Sequence, residues 1–261
     1  MSASSDAEHG QVNDTAAQVY EDFFVPALFG QWPATVLDVG GVRPGDHVLD
    51  VGCGTGVLAR SAVELVGPSG RVAAVDVNEG MLAVARRASD VVDWQIAAAE
   101  ELPSHAQTFE RVLSQFAMMV FADRATGLAE MARVTRPGGT VTVATWAQGE
   151  DSPGYAAMVE LLDRQIGSDA AEARLAPFSI GTEEQLGGAM SGTFDVVQVG
   201  RHQGVARFES LDAWLHTDIR GWTLAESGSD AEFARLRAAA PAALGSFVDA
   251  AGRVSFAAPA L

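Results

Sequence analysis

Apolar residues recur along this chain with two alternating periods, and the alternation predicts an architecture. Residues 13–41 read as helical: Val19, Phe23 and Leu28 mark one stripe, Pro26 and Pro33 break it, and Gly40 and Gly41 stop it. From residue 48 onward, short apolar runs trade places with helical stripes. Residues 48–51, 72–76, 93–97, 110–115 and 140–146 predict strands; 57–67, 79–88 and 124–136 predict helices, and the PGG of 137–139 predicts a turn. Strands and helices alternating at this spacing require right-handed crossovers and a parallel sheet covered on both faces.

After Trp146 the rhythm changes. Met158, Leu161, Leu162 and Ile166 lie on one face of a helix over 155–166, and Thr182 with Gln185 has the form of a capping box. Residues 193–200 return to strand character, and 204–210 either prolong that strand or fold back as its hairpin partner. Leu211, Trp214, Leu215, Ile219 and Trp222 form a further helical stripe. A helix over 233–248 is expected around Pro241, and 252–258 predicts a last strand. The expected organisation is a polar tail (1–12), an N-terminal helical cap (13–41), a ligand-binding core (42–150) and a region of cap insertions and final strands (151–261), all within one domain.

Charge narrows the partners. Seventeen Lys and Arg face 34 Asp and Glu, a net charge of −17 that repels nucleic-acid phosphates and anionic lipid headgroups. The first residues lack the basic and apolar segments of a signal peptide, no apolar run has the length of a bilayer span, and Cys53 is the one cysteine. A cytoplasmic protein without disulfides is expected. His47 and His105 lack zinc-ligand spacing, so no metal is expected, and the absence of GxSxG leaves hydrolase chemistry without support.

The candidate chemistry sits at residues 48–56, VLDVGCGTG. A glycine-rich turn straight after the first parallel strand lets backbone approach a ligand, and the following helix offers free N–H groups there. Gly52, Gly54 and Gly56 are spaced GxGxG; a dinucleotide fingerprint would need glycine at 57, where the chain has Val57, and no phosphate-cradling lysine follows. Asp50 at the strand end would repel a pyrophosphate and attract an ammonium or sulfonium group. A cationic ligand follows. Asp76, about 20 residues beyond Gly56, ends the second strand where ribose hydroxyls bind in such folds, with a helix N-cap role as its rival. Cys53, between two glycines, reads as a spacer rather than a nucleophile.

In these segments the chain resembles the class I S-adenosylmethionine-dependent methyltransferases, in the small-molecule branch that includes the ubiquinone and menaquinone biosynthesis enzymes. VLDVGCGTG matches the first motif, VAAVDVNEGML (72–82) the second, AAAEELP (97–103) the third, and EMARVTRPGGTVTVATW (130–146) the segment around the fifth strand. The resemblance implies a doubly wound Rossmann-like α/β fold: a seven-stranded, mostly parallel sheet with one antiparallel strand, plus a helical cap. It implies S-adenosylmethionine as cofactor, S-adenosylhomocysteine as product and a small-molecule methyl acceptor as partner. By position, Gly52, Cys53 and Gly54 approach the methionine moiety with Asp50 toward its amino group, Asp76 takes the ribose, and Val77 and Met81 sandwich the adenine. Ala99 offers its N–H to the ring, Ala98 and Glu100 flank it, and Gln115 and Phe116 meet the methionine end. Ala98 stands where the family usually has an acidic residue, which removes the contact to the adenine amino group.

Tyr20 and Trp32 are open between core packing and cofactor contact, where a ring beside a sulfonium gains cation–π attraction. In the second half, His202, His216 and Tyr155 are the candidates for a base, should the acceptor need one. The rival readings are an NAD-dependent oxidoreductase, opposed by the glycine spacing and Asp50, and a protein that binds S-adenosylmethionine without turnover. Arsenite methylation would need more thiols than Cys53.

Overall fold

The computed structural model describes residues 14–223 and 229–261. The expected tail and the side chain of Trp222 lie outside the described part. Two units emerge: residues up to 21 with Trp32–Val143, and Asp22–Gln31 with Ala144–Leu261.

In the first unit, β1 (His47–Val51), β2 (Arg71–Asp76), β3 (Asp93–Ile96), β4 (Phe109–Gln115) and β5 (Thr135–Ala144) form one sheet in the order β3-β2-β1-β4-β5. The registered pairs β1–β2, β1–β4 and β2–β3 are parallel. Val48 to Val51 are all buried, as a central parallel strand covered on both faces requires. Register then fixes the site. Asp50 pairs with Ala74 on one side and Leu113 on the other, so the chain leaves β1 at Gly52 beside Asp76 of β2 and Gln115 of β4. These are the C-terminal strand ends, where open α/β sheets bind ligands.

The helices of this unit are α1 (Asp14–Val19), α2 (Pro33–Val39), α3 (Val57–Val66), α4 (Glu79–Ala88) and α5 (Arg124–Val134). Asn78 caps α4 by accepting the Met81 N–H, and Asp123 caps α5 through the N–H groups of Ala125 and Thr126. Two expectations need correction. Pro26 does not break its helix but sits inside a π-helical stretch, Tyr20–Phe29, in which the wider turn is closed by Gly30 N–H on the Val25 carbonyl at 2.7 Å. The PGG at 137–139 is not a turn between elements but a kink within β5: Gly138 has φ +79°, and a Cβ on Gly139 would lie 2.7 Å from the Glu110 carbonyl oxygen.

In the second unit follow α6 (Pro153–Gln165), α7 (Ser168–Leu175), α8 (Glu183–Ser191), β6 (Val205–Phe208), α9 (Leu211–Leu215) and a π-helical continuation, His216–Thr223. Helix α10 (Asp230–Leu244), which carries Pro241, and β7 (Val254–Ala257) complete it. The Thr182–Gln185 capping box opens α8 as the pattern predicts; a second, Ser229 with Glu232, opens α10. Residues 193–200 form no strand. Val196 is 80 % exposed, so the alternation there has no sheet to serve. The expected single sheet of seven strands is also corrected: β6 and β7 pair antiparallel with each other as a separate sheet. Pro259, lacking an N–H, ends the β7 ladder, and the last residues pair antiparallel with the chain after β5 through the Trp146–Ala260 bridge, with Thr145 and Leu261 exchanging backbone hydrogen bonds and the Pro259 carbonyl accepting the Ala147 N–H. The core of this unit is aromatic, with Trp214 and Tyr155 at 4.7 and 4.9 Å from the Phe256 ring.

Candidate active site

The turn after β1 is built by three left-handed glycines, Gly52 at φ +72°, Gly54 at +55° and Gly56 at +87°. They are not equivalent. A Cβ on Gly52 would sit 2.3 Å from the Ala117 methyl, and one on Gly56 2.3 Å from the Trp94 indole. At Gly54 the nearest atom is a Tyr20 ring carbon at 3.9 Å. Outer glycines seal the loop against protein, while the middle one leaves space over its Cα, bounded by the Tyr20 ring.

Asp76 braces this loop. Its carboxylate accepts the Gly54 N–H at 2.8 Å and the Asn78 N–H at 2.9 Å, while the Val75 carbonyl takes the N–H groups of both Gly52 and Cys53. The capping role considered for Asp76 belongs to Asn78, which leaves Asp76 at the loop. Burial raises the Asp76 carboxyl, and the N–H groups of Asn78, Gly54 and Val77 pull it back.

Asp50 is the outlier. It is 1 % exposed, and neither carboxylate oxygen has a hydrogen-bond partner. Burial pushes its carboxyl up to about 7 and the charge of Asp76 adds to the rise; the Ala59 N–H at the start of α3 opposes it without completing a hydrogen bond. The Thr55 hydroxyl, also buried, is unpartnered as well. Orphaned acceptors thus gather under one glycine loop. Cys53 is buried, and its thiol is held well above the usual range by desolvation and by the charges of Asp50 and Asp76, which leaves it protonated and a poor nucleophile.

The wall opposite comes from the end of β4. Phe116 adopts φ +57°, uncommon for a side chain of its size, and this turn sets Ala117 against Gly52. The Trp32 ring meets Phe116 edge-on at 5.7 Å, so Trp32 and Phe116 come together as one aromatic face. Gln115 ends β4, next to Gly52 in register. Val77 is half exposed after β2 and Met81 lies on the first turn of α4. Ala99 is buried and Ala98 half-buried beside it; Glu100 accepts the Asp123 N–H at 2.9 Å, a bond that anchors the start of α5.

The sequence reading missed Arg60. From α3 its guanidinium donates to the Thr55 carbonyl and pairs with Glu21 at 2.7 Å, tying the segment that carries Tyr20 to the glycine loop. The Tyr20 hydroxyl is pushed far up by burial and by the charges of Asp76, Glu21 and Asp50.

The second unit holds its own polar constellation. Arg174, 6 % exposed, lies 4.0 Å over the Tyr155 ring and 5.7 Å from the Phe178 ring, and pairs with the buried Asp218 at 3.4 Å. Asp218 also accepts the Trp214 indole N–H. Burial and the Asp218 charge hold the Tyr155 hydroxyl well above its usual range, against the opposing pull of Arg174. His216 stacks edge-on with Phe233, and His202 exchanges backbone hydrogen bonds with Ala260. Among the described residues no three His, Cys, Asp or Glu gather as a metal site, and no helix is long and apolar enough to cross a membrane.

Fold and loop define a Rossmann-like α/β chain of the methyltransferase type. The model of the ubiE/COQ5 methyltransferase family matches residues 13–159, and the chain belongs to that family. It is 40 % identical over 129 residues to the ubiquinone/menaquinone biosynthesis C-methyltransferase UbiE of Bordetella parapertussis, covering 48 % of this chain and 50 % of the relative. It is 43 % identical over 103 residues to a demethylmenaquinone methyltransferase of Symbiobacterium thermophilum, covering 37 % and 41 %. The chain thus spans about half the length of the curated relatives it matches. The solved YcgJ protein of Bacillus subtilis shares the fold at 20 % identity, with a TM-score of 0.56 over 88 % of this chain and 95 % of that one.

Proposed function

We propose that this protein is an S-adenosylmethionine-dependent methyltransferase that methylates a carbon, oxygen or nitrogen atom of a small metabolite. The observation that carries the reading is Asp50: a fully buried carboxylate with no protein partner, placed beneath a backbone loop, is the complement of a cationic ligand. A diphosphate would meet the same carboxylate as a repulsive charge.

The residues present fit the cofactor. Gly54 keeps open space where backbone approaches a ligand, Asp50 faces the amino group, Asp76 retains acceptor capacity for ribose hydroxyls, and Trp32 and Phe116 present rings that attract a sulfonium. Val77 and Met81 flank the adenine, with Ala98, Ala99 and Glu100 along its edge and Gln115 beside the methionine moiety. When bound, S-adenosylmethionine supplies a methyl group already activated by the positive sulfur. The chain's part is then alignment and exclusion of water. Its neutral Cys53 and protonated Tyr155 offer no competing nucleophile.

The names of the matched relatives favour a quinol-type acceptor, and we assign its recognition to the second unit. Calorimetry with S-adenosylmethionine, S-adenosylhomocysteine and NAD is the test. Binding of the first two in preference to NAD, lost at least tenfold in Asp76→Ala, is expected, followed by methyl transfer to a quinol or phenol; preferential NAD binding overturns the proposal.

A further inference from the structure

Between α8 and β6 the second unit runs through TFDVVQVGR (193–201), a stretch with strand character that belongs to no sheet. Asp195 to Arg201 make no backbone hydrogen bond with any described residue. The chain rejoins a ladder at His202, which exchanges both backbone bonds with Ala260 at 2.8 and 3.0 Å. The side chains alternate even so: Val197 and Val199 are half-buried, whereas Val196, Gln198 and Gly200 are exposed. Val199 rests against α8, 3.6 Å from where a Cβ on Gly187 would stand. The segment is thus seated on its own unit while its main-chain donors and acceptors stay unspent. Such a valine-rich edge is a template for a further strand, and this one has neither the proline nor the lysine with which natural edges repel a partner.

We propose that residues 195–201 pair antiparallel with the same residues of a second copy of this chain, about a two-fold axis through Gln198. The charge pattern selects both the partner and the direction. Asp195 and Arg201 stand three positions to either side of Gln198, so antiparallel self-pairing sets each aspartate opposite the second copy's arginine, twice by symmetry. The same register sets Val197 opposite Val199. A parallel arrangement would instead place like charges together at both ends. Asp195 is exposed and makes no ion pair among the described residues, so its charge is available. Arg201 pairs with Asp151 at 3.0 Å at the surface, and its guanidinium has donors enough to take a second carboxylate. The chain bends at Asp195 and Val196 and straightens there as the outer pairs close. This pairing is independent of the methyltransferase reading.

Sedimentation equilibrium of the whole chain over about 1–200 µM is the test, in about 0.3 M salt to screen the repulsion between two chains of net charge −17. A strand pairing this short is smaller than a standard interface, so a monomer–dimer equilibrium with a Kd of about 10–100 µM is expected. Asp195→Arg replaces an exposed, unpaired side chain and so leaves the fold intact; it opposes arginines at both ends of the pairing and should weaken the dimer at least tenfold. Arg201→Asp, made with Asp151→Asn so that the new carboxylate meets none of its own chain, should weaken it as much. Mixing these two variants restores unlike charges in both pairs, and the mixture should associate within about threefold of the parent chain. A covalent readout fixes the register. A residue on the two-fold axis faces its own copy, so Gln198→Cys should give a disulfide-linked dimer under mild oxidation, whereas in Val196→Cys the two thiols lie about 13 Å apart along the strands and should not link. The native Cys53 is buried and stays out of this reaction. A chain monomeric over the whole range, a dimer indifferent to Asp195→Arg, or linkage of Val196→Cys in preference to Gln198→Cys overturns the proposal.

Discussion

The two units gather unsatisfied groups by opposite means. In the first, the machinery is backbone: three left-handed glycines, a bifurcated Val75 carbonyl, and Asp76 clamping the loop through main-chain N–H groups. In the second it is side chain: a guanidinium over a phenol ring, balanced by one buried carboxylate. Backbone sites depend on a few residue types at fixed spacing, because glycine adopts these dihedrals without the strain a side chain brings. Side-chain sites depend on tertiary placement of residues far apart in sequence; Arg174 and Asp218 are 44 positions apart.

The largest effect expected from this contrast lies in the loop itself. Gly52→Ala sets a methyl group 2.3 Å from Ala117 at a positive φ, and should destabilise the protein by about 2–5 kcal/mol in denaturant unfolding. Gly54→Ala meets nothing nearer than 3.9 Å, so it should cost only about 1–2 kcal/mol of stability while reducing affinity for S-adenosylmethionine more than tenfold. If both variants unfold alike, the distinction between sealing and ligand-facing glycines is wrong.

Next comes pH. The Asp50 carboxyl, raised from 3.8 to about 7, lets the native state hold a proton that the unfolded chain has already released. Its contribution to stability is complete below pH 3.8 and disappears as pH rises to about 7, a loss of about 4 kcal/mol in the ligand-free protein. Asp50→Asn should flatten this slope in thermal unfolding measured across that window. Ligand affinity should run the other way: S-adenosylmethionine binds more tightly as Asp50 ionises through pH 7, and the Asn variant loses that dependence.

Smaller effects sharpen the picture. Glu21→Gln removes the half-buried pair with Arg60 and should weaken S-adenosylmethionine binding about twofold to fivefold with little change in melting temperature. Cys53→Ser should leave turnover intact, since the thiol stays protonated; complete loss of turnover in a folded variant would show that sulfur matters.

This ordering explains what was legible in the sequence. The parallel core was readable because each strand carries its period in a handful of contiguous residues, and the loop because glycine spacing and Asp50 are local. Where tertiary context decides, the reading failed. Residues 193–200 alternate correctly yet find no partner strand, and Pro26 is accommodated by a wider helical turn that no residue pattern announces. Asn78 could have been found, since it immediately precedes the helix it caps. Arg60, by contrast, has no local signal: its partners are a carbonyl five residues back and a carboxylate 39 positions away.

The contact between Gly56 and Trp94 carries a consequence for how this sequence can drift. The indole occupies the volume that any side chain at 56 would need, and is itself pinned by its N–H on the Ser89 carbonyl at 2.9 Å. Positions 56 and 94 are therefore tied: a bulkier residue at the first becomes admissible only after a smaller one has replaced the second. A descendant that loses the tryptophan would be the first to explore variation at the third glycine.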